Sequence, residues 1–292
     1  NNCSTLYLLL MIIFRKSAQL LEKLQQLKNE GKKIGFVPTM GALHSGHISL
    51  IGESKLHCDI TICSIFVNPT QFNDPADFEK YPVTIENDIY QLHKTGTDIL
   101  FLPSVAEIYP NGLDNGPHYE LGFLESILEG YYRPGHFQGV CRVMHRLLTI
   151  CQPDELYMGQ KDYQQCMVVK KLLSDYNLSC NLHIVPTMRE ANGLAMSSRN
   201  LRLSAEAKTQ AAAIYHALTH IKDNVGTTTP ENLKREAVAI IERAGFNKID
   251  YLDICNAEDL APSVNDKLFD HNVALTAAFI EGVRLIDNLV ID

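Results

Sequence analysis

No two of the eight cysteines in this 292-residue chain stand in a C-x-x-C pair. Cys3, Cys58, Cys63, Cys141, Cys151, Cys166, Cys180 and Cys255 are scattered. That pattern argues against a zinc site and against a disulfide framework, and reduced thiols in the cytoplasm are the simpler reading. Positive charge is also short: 26 Lys and Arg against 34 Asp and Glu leave a net charge of −8. Broad binding to nucleic acid or an anionic membrane is thereby disfavoured, which leaves room only for a local basic pocket. The apolar run Leu6 to Phe14 is too short to span a bilayer. Nothing basic precedes it, Arg15-Lys16 follow it, and it lacks the small-residue cleavage site of a signal peptide. Met11-Ile-Ile-Phe14 reads better as a first strand, with Met11 as a candidate start and residues 1–10 as an upstream extension of no structural importance. Internal repeats and low-complexity linkers are lacking as well.

What is there belongs to a globular protein, 46% apolar and 21% charged, long enough for one large domain or two ordinary ones. Helix and strand candidates alternate: helix 17–29, strand 33–37, helix 45–56, and a nearly continuous β-branched strand 59–67. Then come helix 85–95, strand 98–102, helix 141–150, strand 155–158, helix 163–176 and strand 181–186. This is the rhythm of a doubly wound, Rossmann-like parallel α/β sheet, whose ligands sit at the carboxyl ends of the strands. After Pro186 the texture changes to helices 205–225 and 231–244, then strands 249–255, 273–280 and 283–286. Glu281-Gly282 supplies a two-residue hairpin signal. The reading is a first domain over 1–187 and a smaller α+β domain over 188–292.

The segment Val37-Pro-Thr-Met-Gly-Ala-Leu-His-Ser-Gly-His47 joins a strand to a helix. Unpaired amides and the helix dipole favour phosphate there, and His44 and His47, three apart, can donate to phosphate oxygens. Gly41 and Gly46 have the glycine spacing of a Walker A loop, but His47 and Ile48 stand where that motif needs Lys then Ser/Thr, so a Walker NTPase is rejected. The competing reading is an ordinary turn with two exposed histidines.

Other polar clusters also follow strand ends. Asn68 and Gln71, in Phe66-Val-Asn-Pro-Thr-Gln-Phe72, can grip carboxylate and hydroxyl groups or simply form an Asn-Pro turn. Lys161, in Met158-Gly-Gln-Lys-Asp-Tyr-Gln-Gln165, opposes a helix dipole unless an anion occupies the site, with Asp162 an N-cap or ribose acceptor and Gln165 one turn on. A solvated helix start is the alternative. Met196-Ser-Ser-Arg-Asn200 can clamp a triphosphate or merely cap the next helix. Arg133-Pro-Gly-His-Phe-Gln-Gly139 reads as a Gly/Pro-rich loop, either a mobile cover or a connector.

Together with Ser64–Phe72, Pro103–Pro110, Leu128–Val140, Gly159–Gln165 and Ala195–Asn200, the 37–47 segment closely resembles the pantothenate synthetases (pantoate–β-alanine ligases), in order from Met11 to about Asn288. The resemblance implies an H-x-G-H nucleotidyltransferase-superfamily enzyme, with His44-Ser-Gly-His47 as the signature. It would join D-pantoate to β-alanine with ATP through a pantoyl adenylate, as a homodimer with an N-terminal Rossmann-like domain and a C-terminal lid domain. By motif match Met40, Gly41, Ala42, Leu43, His44, Ser45, Gly46 and His47 bind ATP. Gly159, Gln160, Lys161, Asp162, Met196, Ser197, Ser198 and Arg199 complete that site, with Met188 offering its backbone to adenine. His47 is the family's proton donor, and His44, Lys161, Ser197 and Arg199 share the catalytic work. Gln71 touches both pantoate and β-alanine, Gln165 holds pantoate, and Asn68 and Arg133 lie on the substrate side. Two positions depart from the pattern. Gln160 replaces the usual Glu, and the acidic pair that helps to hold magnesium in some members is Asn87-Asp88 here, which leaves Asp88 as the metal contact for Mg2+ arriving with ATP. Two other readings stand beside this one: a nucleotidyltransferase acting on another small acid or phosphate, and a nucleotide-binding module without catalysis.

Overall fold

The computed structural model describes residues 11–73, 75–113, 116–262 and 268–291; the extension read over residues 1–10 lies outside them. The elements in chain order are β1 Ile12–Phe14, α1 Ser17–Asn29, β2 Ile34–Thr39, α2 Ser45–His57, β3 Ile60–Ile65, α3 Pro75–Glu79, α4 Ile85–Lys94 and β4 Ile99–Phe101. These are followed by α5 Val105–Ile108, α6 Leu128–Tyr132, α7 His136–Cys151, β5 Glu155–Gly159, α8 Tyr163–Asp175 and β6 Asn181–Val185. The last part holds α9 Ala205–Ala211, α10 Ala213–Asn224, α11 Pro230–Arg243, β7 Lys248–Asn256, β8 Asn272–Ile280 and β9 Val283–Ile291.

Strands β1 to β6 form one parallel sheet in the order β1-β4-β3-β2-β5-β6. The winding direction reverses between β2 and β5, the place where such sheets open a crevice. A proline fixes how far the crevice opens. Ile34 accepts from the amide of Asp154 ahead of β5, so alternate residues Ile34, Phe36 and Pro38 turn their backbone groups toward that strand. Pro38 has no N–H to give, and pairing between β2 and β5 stops after Gly35 and Phe36. On the other side β2 stays paired to β3 for all six of its residues. Ile34, Phe36 and Val37 are wholly buried, as a strand covered on both faces requires.

Helix α7 begins at His136, five residues before the start expected from sequence, and absorbs most of the stretch read as a loop over 133–139. Gly135, at φ 79°, turns the chain into the helix. Gly139 then sits against the turn after β3, where a Cβ would lie 2.0 Å from the Thr70 carbonyl oxygen. The glycines read as loop formers are therefore there for a turn and for close packing. The expected helix 205–225 is likewise two helices. At Ala212 the amide bonds back to Thr209 in place of an i−4 carbonyl, within a run of buried alanines, and α10 beyond it packs on β8 and β9.

Strands β7, β8 and β9 form a separate antiparallel sheet, with β8 and β9 joined at Glu281-Gly282, whose φ angles of 50° and 72° are those of a tight hairpin turn. Ala274, Ala278 and Ile280 of β8 pack with α10 and α11, while Val273 and Leu275 join the core of the large sheet. The small sheet is covered on both faces. The seven described cysteines are free, and among the described residues no helix is long and apolar enough to cross a membrane.

Gly139→Ala should destabilise the protein by about 1–3 kcal/mol, because backbone rather than a flexible side chain blocks the added methyl. Urea unfolding checks this, and a change below a few tenths of a kcal/mol would show that α7 can move away freely.

Candidate active site

The turn after β2 is held in left-handed backbone, with Gly41 at φ 82° and Ala42 at 48°. A buried carboxylate on α4 keeps it there. Asp88 accepts from the amides of Ala42 (3.0 Å) and Leu43 (2.8 Å) and from the Thr84 hydroxyl (3.1 Å), and it is wholly buried. The Asp88 oxygens that sequence assigned to magnesium are thus used inside the protein to shape this turn. Thr39 ties the same turn to β3, its hydroxyl accepting from Gly41 N and donating to the Ser64 carbonyl.

Two imidazoles cap α2 reciprocally. Gly46 N donates to His44 Nδ1 at 3.2 Å, and His44 N donates to His47 Nδ1 at 3.3 Å. An Nδ1 that accepts fixes the proton of a neutral ring on Nε2, so each histidine keeps one N–H donor. Burial, with the Lys161 charge adding to it, lowers the pKa of His44 to about 4. Burial, then His44 and Lys161, lowers His47 to about 3. Both rings are neutral donors at neutral pH.

The loop after β3 faces them. Asn68 is 1% exposed; it accepts from Tyr109 Oη (2.7 Å) and Thr70 and donates to the Gly139 carbonyl and Gln71 Oε1. It holds the loop, and Gln71 is the amide that reaches inward, beside Met40. His136 Nδ1 donates to the Gln71 carbonyl at 2.7 Å, and its Nε2 accepts from Arg133 at 3.1 Å. Burial and the Arg133 charge lower His136 to about 3, so it too is neutral.

The third wall is built around β5 and the 196–202 stretch. Asn288 of β9 donates to the carbonyls of Gln160 and Lys161, and the Gln160 side chain donates back to Asn288, which fixes the turn that presents Lys161. Ser198 donates to the Ala42 carbonyl, linking this wall to the turn after β2. Arg199 is not free; it pairs with Asp77 at 2.9 Å.

These walls enclose a cavity of about 210 Å³ at the split between β2 and β5. Every expected site residue lines it except Gly41, Ala42, Leu43, Ser45, Gln160 and Asp88. A larger cleft of about 460 Å³ adjoins it and shares Arg133, Lys161, Asp162, Ser197 and Arg199. The sequence reading missed Tyr81, Val143, Met144 and Leu147, which give the cavity its apolar side, and Thr187 beside Met188. The α7 residues recur at helical spacing, a signal that marks a buried face without saying whether protein or ligand covers it. It also missed the ion pairs across to the small sheet. Glu129 accepts from Nη1 and Nη2 of Arg284 (2.8 and 2.7 Å), and Asp287 pairs with Arg189 at 2.6 Å.

A parallel sheet split at its reversal point, with an H-x-G-H turn, a lysine and a serine-arginine stretch around the split, defines a nucleotide-binding α/β enzyme of the H-x-G-H type. The family model for pantoate-beta-alanine ligase matches residues 12–290, and the chain belongs to that family. Pantothenate synthetase from Cytophaga hutchinsonii is 43% identical over 292 aligned residues, covering 96% of this chain and 99% of the relative. That from Cereibacter sphaeroides is 42% identical over 279, covering 95% and 98%. Among solved structures, pantothenate synthetase from Thermus thermophilus aligns with a TM-score of 0.89 at 36% identity over 96% of this chain and 99% of that one. The Francisella tularensis pantoate-beta-alanine ligase, complexed with beta-gamma ATP and beta-alanine, aligns at 0.79 and 40% over 96% and 98%.

The three depressed histidines set a pH dependence. Unfolded, each binds a proton near pH 6.5, whereas folded, each stays neutral down to about 3 or 4. The unfolded state therefore holds more protons between these limits, and stability should fall as pH drops from about 6.5 toward 4. His136→Gln should flatten that slope. Urea midpoints across pH 4–7.5 test this, and a slope unchanged by the substitution would contradict the neutral His136.

Proposed function

We propose that the protein condenses D-pantoate with β-alanine at the expense of ATP, yielding pantothenate, AMP and pyrophosphate through a pantoyl adenylate. The observation that carries the reading is the meeting, in one cavity, of an amide-bearing loop suited to a small hydroxy acid with the H-x-G-H turn and Lys161. Pantoate's carboxylate is an anion at neutral pH, so its attack on the α-phosphorus needs no general base. It needs two anions held together while charge passes to the departing pyrophosphate. His44 and His47 would serve as neutral Nε2–H donors, with Lys161, Ser197, Ser198 and Arg199 supplying the remaining donors and charge. Gln71 and Gln165 would orient pantoate, with Asn68 and Arg133 positioning Gln71 from behind and Met188 beside adenine. In the second step the β-alanine amine attacks the acyl carbon, AMP leaves, and the amine sheds a proton.

Magnesium fits this site as a companion of ATP, because Asp162 is the lone carboxylate among the described residues lining the cavity, and a carboxylate suits that cation. The ion would neutralise the triphosphate there, with Asp162 as its protein contact. The reading extends to a cytoplasmic homodimer in which 1–187 form the main ATP- and pantoate-binding domain and 188–292 form the lid, which adds Met188, Ser197, Ser198 and Arg199 to the ATP site. Neither nucleic acid nor membrane enters it.

Incubation with ATP, magnesium, pantoate and β-alanine should yield AMP together with pantothenate, and ATP–pyrophosphate exchange should depend on pantoate. Exchange without pantoate, or with an unrelated acid equally well, would overturn the reading. His47→Ala should lower turnover about 10²–10⁴-fold in a folded protein, and near-normal product formation would remove its role. Gln71→Ala should raise the pantoate concentration needed while leaving ATP affinity, measured without pantoate, nearly unchanged. Equal losses of both would mean that the loop shapes the whole site.

A further inference from the structure

Arg199 and Arg202 lie three apart on the 3-10 turn Ser198–Arg202. Residues at that spacing eclipse one another in such a turn, so both side chains leave on the same side. They converge on one carboxylate. Arg199 Nη2 donates to Asp77 Oδ2 and Arg202 Nη1 to Asp77 Oδ1, each at 2.9 Å. Two guanidiniums gripping separate oxygens of one small anion is also the way arginines hold a phosphate group. All three groups line the larger cleft, together with Lys80 and Lys161. Burial opposes ionisation of Asp77, but the two arginines outweigh it and hold the carboxyl below its ordinary value, so it is charged. One negative charge faces two positive ones, and all three side chains are partly exposed to the cleft. A pyrophosphate or triphosphate carries more negative charge than one carboxylate and presents the same kind of oxygens, so it can take the place of Asp77 on the two guanidiniums.

We propose that Arg202 joins Arg199 in a two-guanidinium site for pyrophosphate or the terminal phosphates of ATP, and that Asp77 occupies this site in the free protein in the anion's place. The inference rests on reading the adjoining cavity as an ATP site, and it adds a phosphate-binding residue and a built-in competitor. Asp77 makes the free arginines less costly to keep together and lowers the apparent affinity for the polyanion, because only the fraction of molecules with Asp77 detached can bind it.

The test is calorimetric titration of the full chain with pyrophosphate, ATP and AMP, alongside thermal unfolding. Asp77→Asn should tighten pyrophosphate and ATP binding about tenfold and leave AMP unchanged. Arg202→Ala should weaken pyrophosphate and ATP by a similar factor, again sparing AMP, and should shrink the gain from Asp77→Asn when the two are combined. Asp77→Ser gives the same comparison without an amide that can itself bond the arginines. Weakening of pyrophosphate alone assigns the site to the leaving group, and weakening of ATP as well assigns it to the bound triphosphate. ATP binding that responds to neither substitution, together with unchanged pyrophosphate binding, in proteins that unfold normally, overturns this inference and leaves the ligase reading standing. Failure of the unsubstituted protein to bind ATP overturns both.

Discussion

The crevice between β2 and β5 is the constraint on which the rest depends. A parallel ladder left to itself would continue to the ends of both strands and close the space where the ligands are read to sit. Pro38 ends it on one side only, since β2 keeps its full pairing with β3. The turn carrying His44 and His47 and the turn carrying Lys161 are therefore carried apart at their tips while their strands stay joined at the base. The remaining walls, from the loop after β3 and the stretch at 196–202, fold over this opening.

Buried polar side chains keep the walls in place. Asp88, Asn68, Glu129 and Asn288 are each 6% exposed or less, and each spends its oxygens or amide on backbone or on an arginine. A buried polar group is costly unless it is paired, and once paired it has few alternative geometries. That is what a site needs when its donors must stand within a few tenths of an ångström of their targets. Two of these anchors cross between sheets: Asn288 from β9 sets the Lys161 turn, and Arg284 from β9 holds Glu129 in the helix that leads to Arg133. The seating of the small sheet is thereby coupled to the polar side of the cavity.

Charge in the site is arranged so that the cations do not stand idle. Burial keeps His44, His47 and His136 neutral, which avoids stacking three more positive charges beside Lys161 and Arg133. The arginines have carboxylate partners, with Arg133 on Glu129 and Arg199 on Asp77. Lys161 has Asp162 at 3.6 Å, the loosest of these pairs, which suits a group kept for a ligand.

The sequence by itself determined the parallel sheet, most of its helices, the hairpin at Glu281-Gly282 and the family, because these depend on local periodicity and on contiguous motifs. Helix α1 and the start of α2 fall where the apolar spacing and the glycine turn put them. Tertiary structure decided what each motif residue faces. Asp88 and Asn68 look like ligand groups in sequence, yet their polar atoms are bonded within the protein, Asp88 to the Leu43 amide 45 positions away and Asn68, at the cavity edge, to the Gly139 carbonyl 71 positions away. Gly139 reads as a loop residue, and only the approach of the Thr70 carbonyl makes it a helix-packing residue. Arg202 and Asp77 carry no motif at all. Their meeting needs a helix and a turn 125 residues apart to close on one cleft, and spacing along the chain holds no record of that. A side chain's chemistry is written locally, but whether it meets protein or ligand depends on packing between distant segments.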